Sequence, residues 1–531
     1  AGNDTVYYAN GAHFDTADTI NGGAGTDGII VVQAGTAHSA TYSNISNIES
    51  ITYSNLNGGT VTATLADTNF VSQTLASVSG VGLVTALNFT GTAENDSSIA
   101  LTGGTAGDTL LGTDTLALGD TISGNGGADT IDGSLGADIL TGGAGADTFD
   151  YNVVGDSNTG TLDSITDYLS GTDGLSITLD YSAITQATTI TADVTVAKAG
   201  KTAVQDSLTG ERGQTVYDTE NQVLYINYNA DNLLTSLDYA IGINSGASAK
   251  DTVADADITW TLTGGSGADI ITSLSGNADI ITGNAGNDVI VSGAGIQTIA
   301  GGAGNDTITA GAGADIITTG AGTDILNTGA GADIVDLSVD AEDDVINLGA
   351  LELTTDGTVG DNDSVAIDKI TNFLPGANND QMTISISALE AISGVTDIVT
   401  VGLVTNSIAA STATDVTSAG DGGADFSAIT TTNIGVITTV ASATAAGIED
   451  LIQDSATNAI IGSGAMTDGE AYLLLTDNNS STFLMLVVAI DGTTGNNSTI
   501  AADKVSVIVL AEFVGSVNAA LFVDSNFDFV A

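Results

Sequence analysis

Between Asp279 and Asp333 one apolar position recurs every nine residues: Ile281, Ile290, Ile299, Ile308, Ile317, Leu326 and Val335, each two places after an acidic or amide residue. The text around them is glycine-rich, as in GGAGNDTIT at Gly301 to Thr309, AGAGADIIT at Ala310 to Thr318 and TGAGTDILN at Thr319 to Asn327. Glycines two and four places before the aspartate, such as Gly302 and Gly304, Gly311 and Gly313, Gly320 and Gly322, or Gly329 and Gly331, allow a tight turn with φ > 0 that a side chain resists. Each nonapeptide therefore predicts one turn and one very short strand with its apolar side chain inward. Two nonapeptides make a coil of 18 residues with turns on opposite sides.

The slot before the strand holds Asp279, Asp288, Gln297, Asp306, Asp315, Asp324 and Asp333. Residues 18 apart stack, so Asp288, Asp306 and Asp324 form one column and Asp279, Gln297, Asp315 and Asp333 the other. Stacked strands lie roughly 4.8 Å apart. Two bare carboxylates at that separation repel by about 1 kcal/mol in bulk water and by about 3 to 4 kcal/mol at an effective dielectric near 20. A hard divalent cation between successive turns reverses the sign. Carboxylate and backbone carbonyl oxygens are the ligands that calcium takes, whereas magnesium demands a stricter octahedron and keeps its waters. The columns predict multiple Ca2+ ions.

These nonapeptides resemble the RTX calcium-binding repeats, a β-helix element. A second block resembles them from Leu118 to Thr148, with Asp120, Asp129, Asp138 and Asp147 at the same spacing and GGAGADTFD at Gly142 to Asp150. A third fragment, NGGAGTDGI at Asn21 to Ile29, pairs Asp27 with Asp18. Asp269 opens the long block. The candidate metal loops also take in Gly22 and Gly25, Gly124 and Gly127, Gly136, Gly142 and Gly145, Gly265 and Gly267, and Gly283 and Gly286. Some copies depart from the frame. Gln297 puts an amide where the others have a carboxylate, which predicts a weakened site; the spacing from Asp269 to Asp279 is ten, which predicts a distorted turn; Asp96 and Asp108 sit in poorer copies.

The predicted fold is all-β, with parallel β-roll or β-solenoid blocks interleaved with β-rich capping modules. Partial repeats cover 1–33, a solenoid-like segment 34–100, a β-roll 101–150, a capping module 151–259, a second β-roll 260–340 and a C-terminal module 341–531. In Asn47 to Phe70, Ile51, Tyr53, Val61, Ala63 and Leu65 alternate with polar neighbours, which reads as short strands of either a calcium-free solenoid or a small sandwich. QTVYDTENQVLYINYNADN, Gln214 to Asn232, reads as a hairpin with Val216, Leu224 and Ile226 facing a core, in a module that covers the exposed end of a repeat stack. A second hairpin is predicted in AYLLLTDNNSSTFLMLVVAI, followed by alternating Val505, Val507 and Val509, and a short helix around Ile448, Leu451 and Ile452. The longest apolar run, Phe483 to Ile490, has eight residues where a membrane-spanning helix takes about 20, so it predicts a buried strand and no membrane insertion.

Composition narrows the partners. The 531 residues carry 65 acidic and 6 basic side chains, a formal charge of −59, which excludes a basic footprint for nucleic acid or anionic membrane. Hydrophobic residues make up 42%, more than a chain disordered by charge excess carries. No cysteine is present, which suits an exterior protein stabilised by metal; a single proline, Pro375, and 68 glycines suit a solenoid. His13 and His38 are the only histidines, too few for a Ser-His-Asp triad or a multi-histidine zinc site, and they read as surface or turn residues. HExxH is absent. GDSN at Gly155 to Asn158 reads as a turn, and Lys198, Lys201 and Arg212 as solvated charge. Paired carboxylates abound, but an aromatic share of 5% gives no sugar-stacking cluster for a glycosidase. The chain reads as a non-enzyme.

The resemblance implies more than metal binding. AGNDTVYY begins inside a repeat, which predicts that a longer polypeptide precedes Ala1, and DSNFDFVA at Asp524 to Ala531 resembles the uncleaved C-terminal signals of type I export. With abundant Ala, Thr and Gly and few Lys and Met, the chain is most like RTX-type S-layer proteins. That implies an extracellular place on a bacterial surface, a homo-oligomeric lattice as partner, and cell-surface polysaccharide bound through a region before Ala1. The C-terminal export region of an RTX adhesin, or the carrier half of an RTX protease or lipase, are the alternative expectations.

Overall fold

The computed structural model describes residues 2–9, 17–33, 38–42, 44–55, 59–65, 76–93, 97–114, 118–186, 188–198, 212–229, 233–235, 238–243, 253–340, 342–347, 368–374, 380–385, 434–437, 471–477, 481–489, 505–514 and 527–530. They are all-β apart from a 3-10 turn at Asp255–Asp257. The chain divides into two compact units, one of 1–181, 189–262 and 273–277, the other of 182–188, 263–272 and 278–531.

The first unit is a parallel solenoid. One sheet stacks Thr5–Tyr8, Gly28–Gln33, Ser50–Asn55, Ala76–Gly82, Ile99–Thr102, Thr121–Gly126, Ile139–Ala144 and Asp163–Ile165, every neighbouring pair parallel. The facing sheet stacks His38–Tyr42, Val61–Leu65, Leu87–Thr90, Thr109–Leu111, Thr130–Asp132, Thr148–Tyr151 and Gly174–Asp180, again parallel throughout. Alternate residues point inward: Ile51, Tyr53, Val61, Ala63 and Leu65 are all buried. Between the two readings left open for residues 34–100, the parallel ladders select the coil over the sandwich.

Coil length varies with the sequence. Thr121 pairs with Ile139, an 18-residue step, where the nonapeptides run; Ser50 pairs with Ser77, a 27-residue step, where they do not. Beyond the roll, Asp163–Ile165 pairs in parallel with Tyr239–Ile243, the edge of an antiparallel sheet with Val223–Asn227 and Arg212–Asp218. The predicted hairpin forms between Gln214 and Asn227, and Val216, Leu224 and Ile226 are buried. Arg212 lies with its guanidinium 4.9 Å from the centre of the Tyr181 ring and donates to the Tyr228 carbonyl at 3.0 Å. Gly155 to Asn158 is a structural turn, where the Ser157 hydroxyl donates to the Ala240 carbonyl and accepts the Asp163 N–H.

The second unit repeats the plan. Ile280–Ala285, Thr298–Ala303, Ile316–Ala321, Ile334–Asp336 and Asp368–Thr371 stack in one parallel sheet, and Val289–Ser292, Thr307–Thr309, Ile325–Asn327, Val345–Asn347 and Gln381–Ser385 in the other. Ile281, Ile290, Ile299, Ile308, Ile317, Leu326 and Val335 form its buried spine. Asp368–Thr371 continues onto Val505–Val514, which with Ser481–Ala489 and Ala471–Asp477 makes an antiparallel meander. Phe527–Val530 adds to Gln381–Ser385 in parallel. The helix predicted around Ile448, together with His13, Pro375, Lys201 and Asp96, lies outside the described residues.

Candidate metal centre

Every nonapeptide aspartate of the two long blocks is at most 1% exposed. A carboxylate so placed must find donors or a counter-charge. Its Oδ1 finds a donor in the preceding coil. The N–H of Asp288 donates to Oδ1 of Asp306, that of Asp306 to Asp324, and that of Asp315 to Asp333, at 2.7–2.8 Å. In the first unit the N–H of Asp120 donates to Asp138 and that of Asp129 to Asp147. The stacks are the two predicted columns, joined by carboxylate–amide hydrogen bonds.

Gln297 sits in the second column with its side-chain oxygen accepting the Asp279 N–H at 2.9 Å and its own N–H donating to Asp315 at 2.7 Å. It continues the hydrogen-bond ladder without the charge. Asp269 opens the first column: its Oδ1 accepts from Thr188 and its Oδ2 from Gly265, while its N–H donates to Asp288. Asp27 accepts the N–H of Asp4 and donates its own to Glu49. Its stacking partners are therefore Asp4 and Glu49; Asp18, nine residues earlier and so on the opposite side by the predicted phase, is half-exposed.

Apart from Asp269 and from Asp120, whose Oδ2 accepts the Thr113 N–H, the second carboxylate oxygen is left over. Oδ2 of Asp27, Asp129, Asp138, Asp147, Asp288, Asp306, Asp315, Asp324 and Asp333 is buried with no hydrogen-bond donor. Turn carbonyls stack beside these acids: a Cβ at Gly304 would collide with the Gly286 carbonyl, one at Gly322 with that of Gly304, and one at Gly145 with that of Gly127. Among the described residues no three acidic or histidine side chains converge. A cation here needs carboxylates completed by carbonyl oxygens, the donor set of calcium. The residues present fit that ion, held by Oδ2 of the column aspartates and the turn carbonyls.

Burial holds these acids toward their neutral form. Desolvation pushes Asp306 up to about 7 and Asp315, Asp120 and Asp129 up to about 6, against the lowering effect of the backbone N–H each accepts. Asp288, Asp324 and Asp147 shift upward for the same reason.

The glycines divide into two kinds. Gly25, Gly127, Gly145, Gly286, Gly302, Gly304, Gly311, Gly313, Gly320, Gly322, Gly329 and Gly331 have positive φ, as the turn requires. Gly22, Gly124, Gly142 and Gly283, five places before their aspartates, do not; a Cβ there would strike the carboxylate of Asp27, Asp129, Asp147 or Asp288. Gly136 and Gly265 also lack positive φ, and a Cβ on them would meet Asp138 and the Ile184 carbonyl. Gly267 likewise lacks it and supplies the carbonyl that packs under Gly286. Asn125 and Asn284 take the left-handed turn position before Asp129 and Asp288, at φ 70° and 75°.

The ladders run beyond the nonapeptides, onto residues the repeat pattern does not single out. Asp138 donates to Asp163 and Asp147 to Asp173; Asp324 donates to Asp344, Asp344 to Asp380 and Asp333 to Asp368; upstream, Asp108 of a poorer copy donates to Asp129. Each recruit outside the repeats is followed two places later by a buried apolar residue, namely Ile165, Leu175, Ile346, Met382 or Ile370. That aspartate-x-apolar triplet is the signal in the sequence, stripped of its glycines.

The family described as RTX calcium-binding nonapeptide repeat (4 copies) matches residues 114–149, 263–299 and 300–335. No curated protein matches the chain. The matched stretches are the ones whose aspartates stack at 18-residue intervals behind positive-φ glycines, and over those residues the chain carries RTX calcium-binding nonapeptide repeats.

Proposed function

We propose that the protein is a secreted structural protein of a bacterial cell surface that folds on binding several calcium ions and assembles with copies of itself into an S-layer-like array. The observation that carries the reading is the pair of columns in which Asp288, Asp306, Asp315, Asp324 and Asp333 each have one oxygen bonded to an amide and the other buried and facing no donor. When bound, calcium supplies the positive charge that those oxygens lack. The chain's own part is to present the carboxylates in register, hold each by an amide hydrogen bond, and exclude water with the isoleucine spine. At low calcium the repulsion of a chain of charge −59 opposes folding. Extracellular calcium modules bind at roughly 10⁻⁴ to 10⁻³ M, which suits a switch between cytosol and exterior.

The array is supported by composition: 68 glycines, 3 methionines and 6 basic residues among 531, in a chain built of regular coils. Electron microscopy of the protein refolded in millimolar calcium tests it. A two-dimensional lattice that dissolves on chelation is the expected result. Dispersed monomers at saturating calcium would instead favour the export region of an RTX adhesin, and hydrolytic activity in a longer product would favour the carrier half of a protease or lipase.

A further inference from the structure

In one sheet of the second roll the residue directly after each aspartate or Gln297 points outward. Ile280, Ile316 and Ile334 are 47%, 47% and 51% exposed, and with the exposed Thr298 they stand side by side on successive parallel strands, Ile280 beside Thr298, Thr298 beside Ile316 and Ile316 beside Ile334. The next rung of this outer column is Lys369, also exposed. The outward column two residues along, Thr282, Ala300 and Thr318, stays uncharged until Asp336. A chain of charge −59 with 6 basic side chains thus keeps these columns free of acid over three strands and ends one of them on a cation. Folding does not require isoleucine in the outer column, since Thr298 holds the same place in it.

We propose that this face, the column of Ile280, Thr298, Ile316 and Ile334 with Lys369 at its end, is where a second copy of the chain docks, sheet against sheet. The proposal deepens the self-assembly reading and rests on it. Two copies of so acidic a chain repel wherever their carboxylates face each other, and approach is least opposed through a surface that carries none. Lys369 adds attraction, because an exposed cation suits a partner whose surface is dominated by acid, and a second copy of this chain is such a partner. About a two-fold axis the column meets itself running the opposite way. That arrangement holds the two Lys369 side chains at opposite ends and sets the isoleucines of one copy against those of the other, at the roughly 10 Å spacing of packed sheets. Five strands about 4.8 Å apart, with outward segments of about 15 Å, give a face of roughly 300 Å², below the roughly 800 Å² per partner of a stable interface. A single contact of this size is weak and reversible, and a lattice multiplies it.

The test is sedimentation velocity of the full chain in saturating calcium. The parent should associate reversibly, with a Kd in roughly the micromolar to millimolar range. Ile316→Thr copies the residue already present at Thr298 and should weaken that association about tenfold, since a symmetric contact loses the side chain twice. Thr298→Ile should tighten it by a similar factor, and Lys369→Glu should weaken it, most strongly at low salt. Ile325→Thr, at a position 44% exposed on the other sheet of the same roll, should change nothing. A parent that stays monomeric overturns the face, as does an Ile316→Thr variant that associates like the parent or an equal loss in Ile325→Thr. If Ile316→Thr does not fold, unchanged association in Thr298→Ile overturns it instead. A lattice that forms undiminished from Ile316→Thr defeats this interface and leaves the array reading standing, whereas dimers that depend on Ile316 and form no lattice uphold the interface and defeat the array alone.

Discussion

The N–H of Asp306 donates to Oδ1 of Asp324, 18 residues on, at 2.7 Å, while Oδ2 of Asp324 is buried and meets no donor. One side chain therefore does two separable things. Its first oxygen satisfies a buried amide whether or not metal is present; its second is a negative charge that only a cation or a proton can answer. Gln297 performs the first without the second.

Asp306→Asn and Asp306→Ala should consequently part company. Asparagine can still accept the Asp288 N–H and removes a repelling charge, so the calcium-free chain should be no less ordered while the calcium needed for folding rises. Alanine leaves that amide unsatisfied, a loss of about 1–3 kcal/mol, and should destabilise at every calcium concentration. Circular dichroism during calcium titration distinguishes them, and identical midpoints for the two variants would refute the division of labour.

Gln297→Asp adds a carboxylate at a position already fully buried. The calcium-free protein should lose stability and the calcium midpoint should fall, since the column gains a ligand. Denaturant melts with and without calcium read both effects. A shift of the same sign in both conditions would count against the second column as a metal column.

Acid should substitute for calcium in part. Burial lifts Asp306 to about 7 and Asp315 to about 6 from 3.8. An acid raised in the folded state favours folding when protonated, so its contribution is complete below about pH 4 and disappears as pH rises through 6 to 7. The chelator-treated chain should gain β-structure on acidification from about pH 8 to about pH 5, and calcium should bind more weakly at the lower pH because protons compete for the same oxygens. A calcium-free chain most ordered at pH 8 would contradict this.

Gly304→Ala should be destabilising although many glycine-to-alanine changes help. The residue has φ +133° and a Cβ would run into the Gly286 carbonyl, so a strain of order 1–3 kcal/mol is expected. Thermal unfolding in saturating calcium measures it; an unchanged or higher melting temperature would show the turn to be more yielding than the stacked carbonyls imply.

The repeat was readable because glycine, aspartate and isoleucine each kept phase, and the columns 288–306–324 and 279–297–315–333 stack as that phase requires. What lay hidden was the continuation. Asp163, Asp344, Asp368 and Asp380 join the ladders from 20 to 36 residues away, because the stacking accepts steps longer than the nonapeptide pair supplies; nothing local in the chain fixes where the next rung falls. The same freedom concealed the coil at 34–100, where Ile51 and Tyr53 advertise a strand but steps of 22 and 27 residues leave no period to follow.

The amide-to-carboxylate bonds all point one way, from each aspartate to its successor toward the C-terminus. The stack consequently has a grain. Stripping the downstream rung leaves an N–H stranded, whereas stripping the upstream rung merely frees an acid to meet water. A truncation series trimmed from opposite directions should erode the roll unequally, with the downstream cuts the more damaging.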